Sequence, residues 1–193
     1  MIVRNKRKGS LTIHGGVWNG RRVPFLRREG LRPLTGRWLQ VLSDILVVEP
    51  HHRCADLFSG TGIWGLLLLS HGAGTVSFFE SDRKSIHQVK DILSDWGSKG
   101  EMVEGDLPYS LVNKGPFDLI VCDPPFKALP LGRRVAQAAW GEVAPGGRLA
   151  LRWPGREVDS PLGLPIQIKR TVGTETLFVY KKEREQYRCS LKR

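Results

Sequence analysis

Long apolar runs are missing from this chain of 193 residues. The longest, "IWGLLLL", is seven residues interrupted by Gly65, far short of the ~20 that a bilayer-crossing helix needs, so no membrane partner is expected. Cysteine is scarce and odd in number: Cys54, Cys122 and Cys189 lie far apart, the first two inside apolar strand-like runs. Neither a disulfide framework nor a CxxC metal site follows from that pattern. His51, His52 and Cys54 are close together, but no second ligand pair stands elsewhere at metal-site spacing. They read as a polar turn before a buried strand, and no metal is expected. The start, "MIVRNKRK" followed by "GSLTIHGGVWNG", lacks the apolar segment of a secretory signal, so a cytoplasmic location is expected.

Acidic residues are almost missing from the start, where Glu29 is the one acid in residues 1–38, and are outnumbered six to two over residues 181–193. The net charge of +11 divides into +9 over residues 1–38, −2 over 39–180 and +4 over 181–193. Cations clustered this way are the footprint of a polyanion partner, since each Lys or Arg that neutralises a phosphate releases a counterion. A hydrophobic content of 40% is enough for one α/β domain with a small appendage.

Two short strand-like runs in "SLTIHGGVWNGRRVPF" flank Asn19-Gly20, which predicts a β-hairpin turning there. Arg21 and Arg22 follow that turn and are candidate phosphate contacts; Trp18 and Phe25 read as packing residues. Trp38, Val41, Leu42, Ile45 and Leu46 recur at helical spacing after Thr35, a plausible N-cap. "IWGLLLLSHG" predicts a buried helix ended by Gly72. "TVSFFE" predicts a strand ending in Glu80, and "RKSIHQVKDILSDWG", with Ile86, Val89, Ile92, Leu93 and Trp96 at helical spacing, a helix that stops at Gly97. A short strand then ends at Asp106, and "FDLIVCD" is an apolar run of the kind buried in a parallel sheet. A helix is expected over Arg133 to Val143, then the turn "PGG", the strand "RLALRW", a loop over Pro154 to Pro165, and an antiparallel hairpin around Gly173. The β-α alternation implies a doubly wound, mostly parallel sheet.

Two motifs carry chemistry. "DLFSGTGIWG" places Gly60, Gly62 and Gly65 between a strand and a helix, a weak nucleotide-cofactor signal by itself. Asp56 sharpens it, because a carboxylate there repels a pyrophosphate but suits a cationic ligand end such as the methionine ammonium of S-adenosylmethionine. Glu80 closes the next strand, where an acid can accept ribose hydroxyls. Asp106 and Asp123 end two further strands, on the side where open α/β sheets bind ligands. "DPPF" is the more specific motif. Asp123 and the Pro124 carbonyl can accept from an exocyclic amine, the prolines stiffen the turn, and Phe126 offers a ring for a base.

With these residues in view the chain resembles the class I S-adenosylmethionine-dependent methyltransferases, and within them the RsmD family, which methylates N2 of a guanine in bacterial 16S ribosomal RNA. The likeness also covers "GGVWNGRRVPF", "LRPLTGR" (Leu31 to Arg37), "LSHGA" and "ESDR". It implies a seven-stranded Rossmann-like domain over residues 35–193, with a basic β-hairpin extension over 1–34. It also implies that Asp56, Phe58, Gly60, Gly62 and Glu80 hold S-adenosylmethionine and that Asp106 faces its adenine amine. Asp123, Pro124 and Phe126 would then handle the target base, with Arg32, Thr35 and Arg37 bordering the active site. The implied partner is ribosomal RNA or the small ribosomal subunit, approached by a monomer. The chain departs from the family pattern at Gly36, where an acid is usual, and at Trp38, Leu39, Gln40, Leu67 and His71. Methylation of another amine (DNA adenine or cytosine, protein glutamine) and a non-catalytic RNA-binding assembly factor are the alternatives. A nicotinamide oxidoreductase is disfavoured by Asp56.

Overall fold

The computed structural model describes residues 8–26, 36–45, 47–156 and 159–184. Strands β1 (Lys8–Thr12) and β2 (Arg22–Leu26) pair antiparallel as a separate two-stranded sheet, with Thr12 opposite Arg22. The expected hairpin is present, but its connection is not a tight Asn19-Gly20 turn: it is the wider loop 13–21. Gly20 does adopt positive φ (84°). The loop is wide because it docks on the main domain. The N–H groups of Val17 and Trp18 donate to the carbonyl and hydroxyl of Ser70 (2.8 and 3.0 Å), and that hydroxyl donates to the Gly15 carbonyl (2.7 Å). A Cβ on Gly16 would lie 1.9 Å from the Ser70 carbonyl oxygen, so this seam requires glycine.

Helix α1 (Gly36–Ile45) buries Trp38, Leu39 and Leu42; Thr35 lies outside the described residues. The main sheet contains β3 (Arg53–Leu57), β4 (Thr75–Glu80), β5 (Gly100–Glu104), β6 (Phe117–Cys122), β7 (Val143–Pro154), β8 (Ile168–Val172) and β9 (Glu175–Lys181). Their spatial order is β5-β4-β3-β6-β7-β9-β8. The first five are parallel, and β9 runs antiparallel to both β7 and β8. Helices α2 (Ile63–Ser70), α3 (Arg83–Asp95) and α4 (Leu129–Gly141) make the crossovers.

Side chains alternate across the sheet, as the period of a strand demands. Cys54, Val76, Phe78, Leu119 and Val121 pack with α1, α2 and α3 on one face. Ala55, Leu57, Phe79, Ile120 and Cys122 pack with α4 on the other. With helices on both faces, the doubly wound arrangement expected from the sequence is borne out.

Two boundaries differ from expectation. Helix α4 starts at Leu129 rather than Arg133, because Pro130 falls in its first turn, where a missing N–H costs nothing. "PGG" is not a turn before a strand but part of β7, where the register shifts against β6 and Gly146 takes φ 83°.

Gly65 explains how closely α2 approaches the sheet, since a Cβ there would sit 2.2 Å from the Phe78 ring. Gly65→Ala is therefore expected to destabilise the fold by about 1–3 kcal/mol through overpacking, read as a lower denaturant midpoint. An unchanged midpoint would contradict the close packing.

Candidate active site

Strands β3 and β6 are neighbours whose crossovers leave in opposite directions, β3 through α2 to β4 and β6 through α4 to β7. Their carboxyl ends therefore diverge into the crevice where sheets of this kind bind ligands. The glycine turn and the Asp123 loop lie side by side at that point, joined by the Asp123 N–H donating to the Leu57 carbonyl (3.3 Å).

The glycine turn is fastened to β4. The N–H of Ser59 donates to the Phe79 carbonyl (3.0 Å) and that of Gly60 to Glu80 Oε2 (2.8 Å). Phe58, Gly60 and Gly62 all have positive φ (60°, 51° and 73°). At Gly62 a Cβ would also meet Val89 Cγ2 at 2.9 Å. Glu80 Oε1 accepts from the N–H groups of Ser81 and Asp82 (both 2.9 Å). Three of the roughly four acceptor sites of this carboxylate are thus taken by backbone, leaving one. Phe58, Phe79, Glu80, Ser81, Gly105, Asp106, Leu107 and Leu131 line a cleft beside it, and Asp106 is exposed there.

Asp56 is fully buried beneath the turn. Its Oδ2 accepts from the Gly65 N–H (2.9 Å), while Oδ1 has no hydrogen-bond partner. Burial pushes the carboxyl pKa up to about 8, aided by the charges of Asp123 and Glu80 and opposed by the Gly65 N–H.

The Asp123 loop carries an arrangement that sequence reasoning missed. Asp123 Oδ1 accepts from Arg152 Nε (2.7 Å), and Oδ2 accepts from Arg152 Nη2 and Trp64 Nε1 (both 2.9 Å). Arg152 Nη1 donates to Glu175 Oε2, which also accepts from Trp38 Nε1 (both 2.7 Å). The guanidinium lies over the Phe126 ring, 5.0 Å from its centroid. Burial disfavours its charge, but Asp123 and Glu175 outweigh that effect and raise the pKa of Arg152. The one available signal was an arginine inside the apolar strand "RLALRW", because a charge in a buried strand needs a partner.

Pro124 is buried and Phe126 half-buried at the head of this loop. Arg37 is exposed on the first turn of α1, one residue before Trp38. Arg32 lies outside the described residues, as does Thr35. Arg21 and Arg22 are not brought to the crevice. Arg21 stacks over the Trp96 ring at 5.0 Å, at the C-terminal end of α3, and Arg22 donates to the Ser10 hydroxyl (2.9 and 2.7 Å). Their loop docks at Ser70, the far end of α2 from the glycine turn; eight residues at about 1.5 Å each make that roughly 12 Å. Neither has an ion-pair partner among the described residues. Trp18 packs edge-on against Trp96 (5.0 Å), in the packing role read from the sequence.

Of the residues considered for a metal, Cys54 is buried in β3 and its thiol is pushed up to about 12, chiefly by burial. His51 and His52 instead share an exposed turn with Glu49. His52 Nδ1 accepts the Glu49 N–H (3.1 Å). Cys189 lies outside the described residues. No helix among the described residues is long and apolar enough to cross a membrane.

A mostly parallel sheet of this strand order, with a glycine turn and an acidic loop meeting at the switch point, defines the class I methyltransferase fold. A 16S rRNA N2 methyltransferase of Thermus thermophilus, solved with AdoMet and guanosine, shares this fold at TM-score 0.72 and 22% identity, over 92% of this chain and 50% of that one. The YhhF protein of Escherichia coli superposes with TM-score 0.75 at 25% identity, over 92% of this chain and 100% of that one.

The family described as Conserved hypothetical protein 95 matches residues 11–151, and the chain belongs to it. The resemblance to the RsmD family is borne out by the same match and by a relative from Haemophilus influenzae, the "Ribosomal RNA small subunit methyltransferase D". That relative is 36% identical over 126 residues, covering 62% of this chain and 65% of its own length. The chain thus spans just under two thirds of that relative.

Proposed function

We propose that this protein transfers a methyl group from S-adenosylmethionine to the exocyclic N2 amine of a guanine in 16S ribosomal RNA, acting in the cytoplasm as a monomer. The observation that carries the proposal is the adjacency, across β3 and β6, of a glycine turn over an orphaned buried carboxylate and an acid-proline-aromatic loop. The name of the Haemophilus influenzae relative supports the choice of ribosomal RNA.

The residues present fit S-adenosylmethionine. Asp56 Oδ1 is buried without a donor, and an ammonium acting through one water would supply one. Glu80 would offer its remaining acceptor site to a ribose hydroxyl, and Asp106 lines the cleft and would accept from an adenine amine. Phe58, Gly60 and Gly62 shape the turn over the ligand.

When bound, S-adenosylmethionine supplies an electrophilic methyl on a sulfonium. The protein then has to orient one nucleophilic nitrogen towards it. Three of the roughly four acceptor sites of the Asp123 carboxylate are already used by Arg152 and Trp64. The remaining site and the Pro124 carbonyl accept the two N–H groups of the guanine amine, which aims the nitrogen lone pair at the methyl. A base stacked on Phe126 takes the ring face opposite Arg152. Catalysis is then mainly orientation for in-line displacement, and the extra amine proton leaves after transfer.

Arg32, Thr35 and Arg37 border this site, while Arg21 and Arg22 contact RNA phosphates farther from the reacting base. If each of the latter two neutralises one phosphate, replacing both with glutamate flattens the negative slope of log affinity against log salt by about two units or slightly less. A filter-binding series over salt concentration measures it, and an unchanged slope removes the hairpin from the RNA-binding surface. The function itself is tested by incubating the protein with methyl-labelled S-adenosylmethionine and unmethylated 16S RNA or small-subunit particles. Label in the RNA is the expected result; a folded protein that neither binds the cofactor nor labels RNA would favour the assembly-factor alternative.

A further inference from the structure

The Asp123 loop is a short turn with few fastenings of its own: the Asp123 N–H to Leu57, and the Ala128 N–H to the Pro125 carbonyl (2.9 Å). Its two functional side chains share one residue from another strand, Arg152, and Trp64 adds a single bond to Asp123. Arg152 grips both oxygens of Asp123 and covers Phe126, and side-chain exposures of 8% for Arg152 and 13% for Asp123 leave the pair largely shielded from solvent. A planar fork that binds two carboxylate oxygens and stacks on a ring fixes position and rotation together, which a lysine cannot do.

Arg152 is itself anchored. Glu175, at the start of β9, takes its remaining terminal nitrogen, and Trp38 of α1 donates to the same Glu175 oxygen. The sequence Trp64–Asp123–Arg152–Glu175–Trp38 is therefore a continuous hydrogen-bonded chain from the helix after the glycine turn to α1, which begins at Gly36. It runs through the loop that would hold the acceptor amine.

We propose that Arg152, anchored by Glu175 and Trp38, is the positioning residue of the reaction loop. It holds Asp123 as a fixed acceptor and sets the Phe126 ring for the base. The role in turnover rests on the methyl-transfer function proposed above; the positioning of the loop does not. Arg152 touches neither substrate nor cofactor in this account and acts through Asp123 and Phe126.

The test uses the full chain and two independent readouts. Arg152→Lys keeps a cation between the two carboxylates but loses the fork. It is expected to lower kcat by about 30-fold or more, because a displacement near 1 Å is worth about 10²-fold, while the S-adenosylmethionine Kd and the RNA KM stay within about threefold. In Arg152→Ala, added guanidinium is expected to restore kcat and added methylammonium is not, an outcome that a general loss of stability does not produce. In the free protein, hydrogen exchange of the Ala128 amide should accelerate about tenfold or more in Arg152→Lys as the loop opens locally, with β4 amides unchanged. Wild-type kcat in Arg152→Lys would overturn the role in turnover, and unchanged exchange at Ala128 would overturn the positioning. A wild-type protein with no methyl transfer would defeat the proposed function, and the exchange measurement would still decide whether Arg152 positions the loop.

Discussion

Asp123→Ala is expected to reduce methyl incorporation by about 10²-fold or more, the scale of losing one oriented contact at a reacting centre. Asp123 does two things in this structure, and the substitution removes both. It takes away the acceptor facing the amine, and it leaves the Arg152 guanidinium buried with only Glu175 beside it. Breaking a buried pair from one side costs about 3–5 kcal/mol, so a lower melting temperature will accompany the loss. Cofactor affinity separates the two effects. S-adenosylmethionine binding to Asp123→Ala is expected to survive below its melting transition, because the glycine turn is fastened to β4 through Ser59 and Gly60, not through Asp123. Full activity in this variant would remove Asp123 from the reaction.

The second large effect is pH-dependent. Asp56 has an ordinary carboxyl pKa of 3.8 and is pushed up to about 8 in the fold, first by burial. Well below pH 4 the group is protonated whether folded or unfolded, so it contributes no pH dependence there. As pH rises from about 4 to about 8, the unfolded chain loses this proton while the folded chain keeps it. Folding stability then falls by up to about 1.4 kcal/mol per pH unit, and the loss levels off above the folded pKa. Asp56→Asn removes this window, so the stability of the wild type relative to Asp56→Asn should decline from pH 4 to pH 8. Paired denaturant titrations measure it, and a pH-independent difference would contradict the ionisable burial.

The same linkage reaches the ligand. A cation placed beside Oδ1 favours the carboxylate, so S-adenosylmethionine binding at pH 7 should release a proton from Asp56. Calorimetry in two buffers of different ionisation enthalpy detects that release. Affinity should rise with pH up to about 8.

Much of this fold was legible in the chain because its signals are local. "TVSFFE" is a strand of β-branched and aromatic residues that ends at its acid, and it runs over Thr75–Glu80 as read. The buried helix α2 and its stop at Gly72, with φ 99°, follow from an apolar run and one left-handed residue. The hairpin around Gly173, with φ 62°, follows in the same way. What local pattern does not carry is docking. Nothing in "TIHGGVWNG" announces that Gly16 lies against the Ser70 carbonyl, so a two-residue turn was expected where a nine-residue loop leans on α2.

The candidate site divides along the same line. Asp56, Gly60, Gly62, Glu80 and Asp123 were readable from their positions at strand ends, and the structure gathers them at one crevice. The residues that hold Asp123 were not readable. Arg152 lies 29 positions away from it, and Trp38 and Glu175 are 137 apart; only the sheet order makes them neighbours. Arg21 and Arg22 show the opposite case. Their charge was legible, but their place at the far end of α2 was not.

The most direct test of the account is the identity of the methylated nucleoside. Small-subunit RNA lacking its modification is treated with this protein and labelled S-adenosylmethionine, digested completely, and separated by chromatography with mass detection. The account predicts label in N2-methylguanosine. Label in a methylated adenosine or cytidine, or in protein, would contradict it.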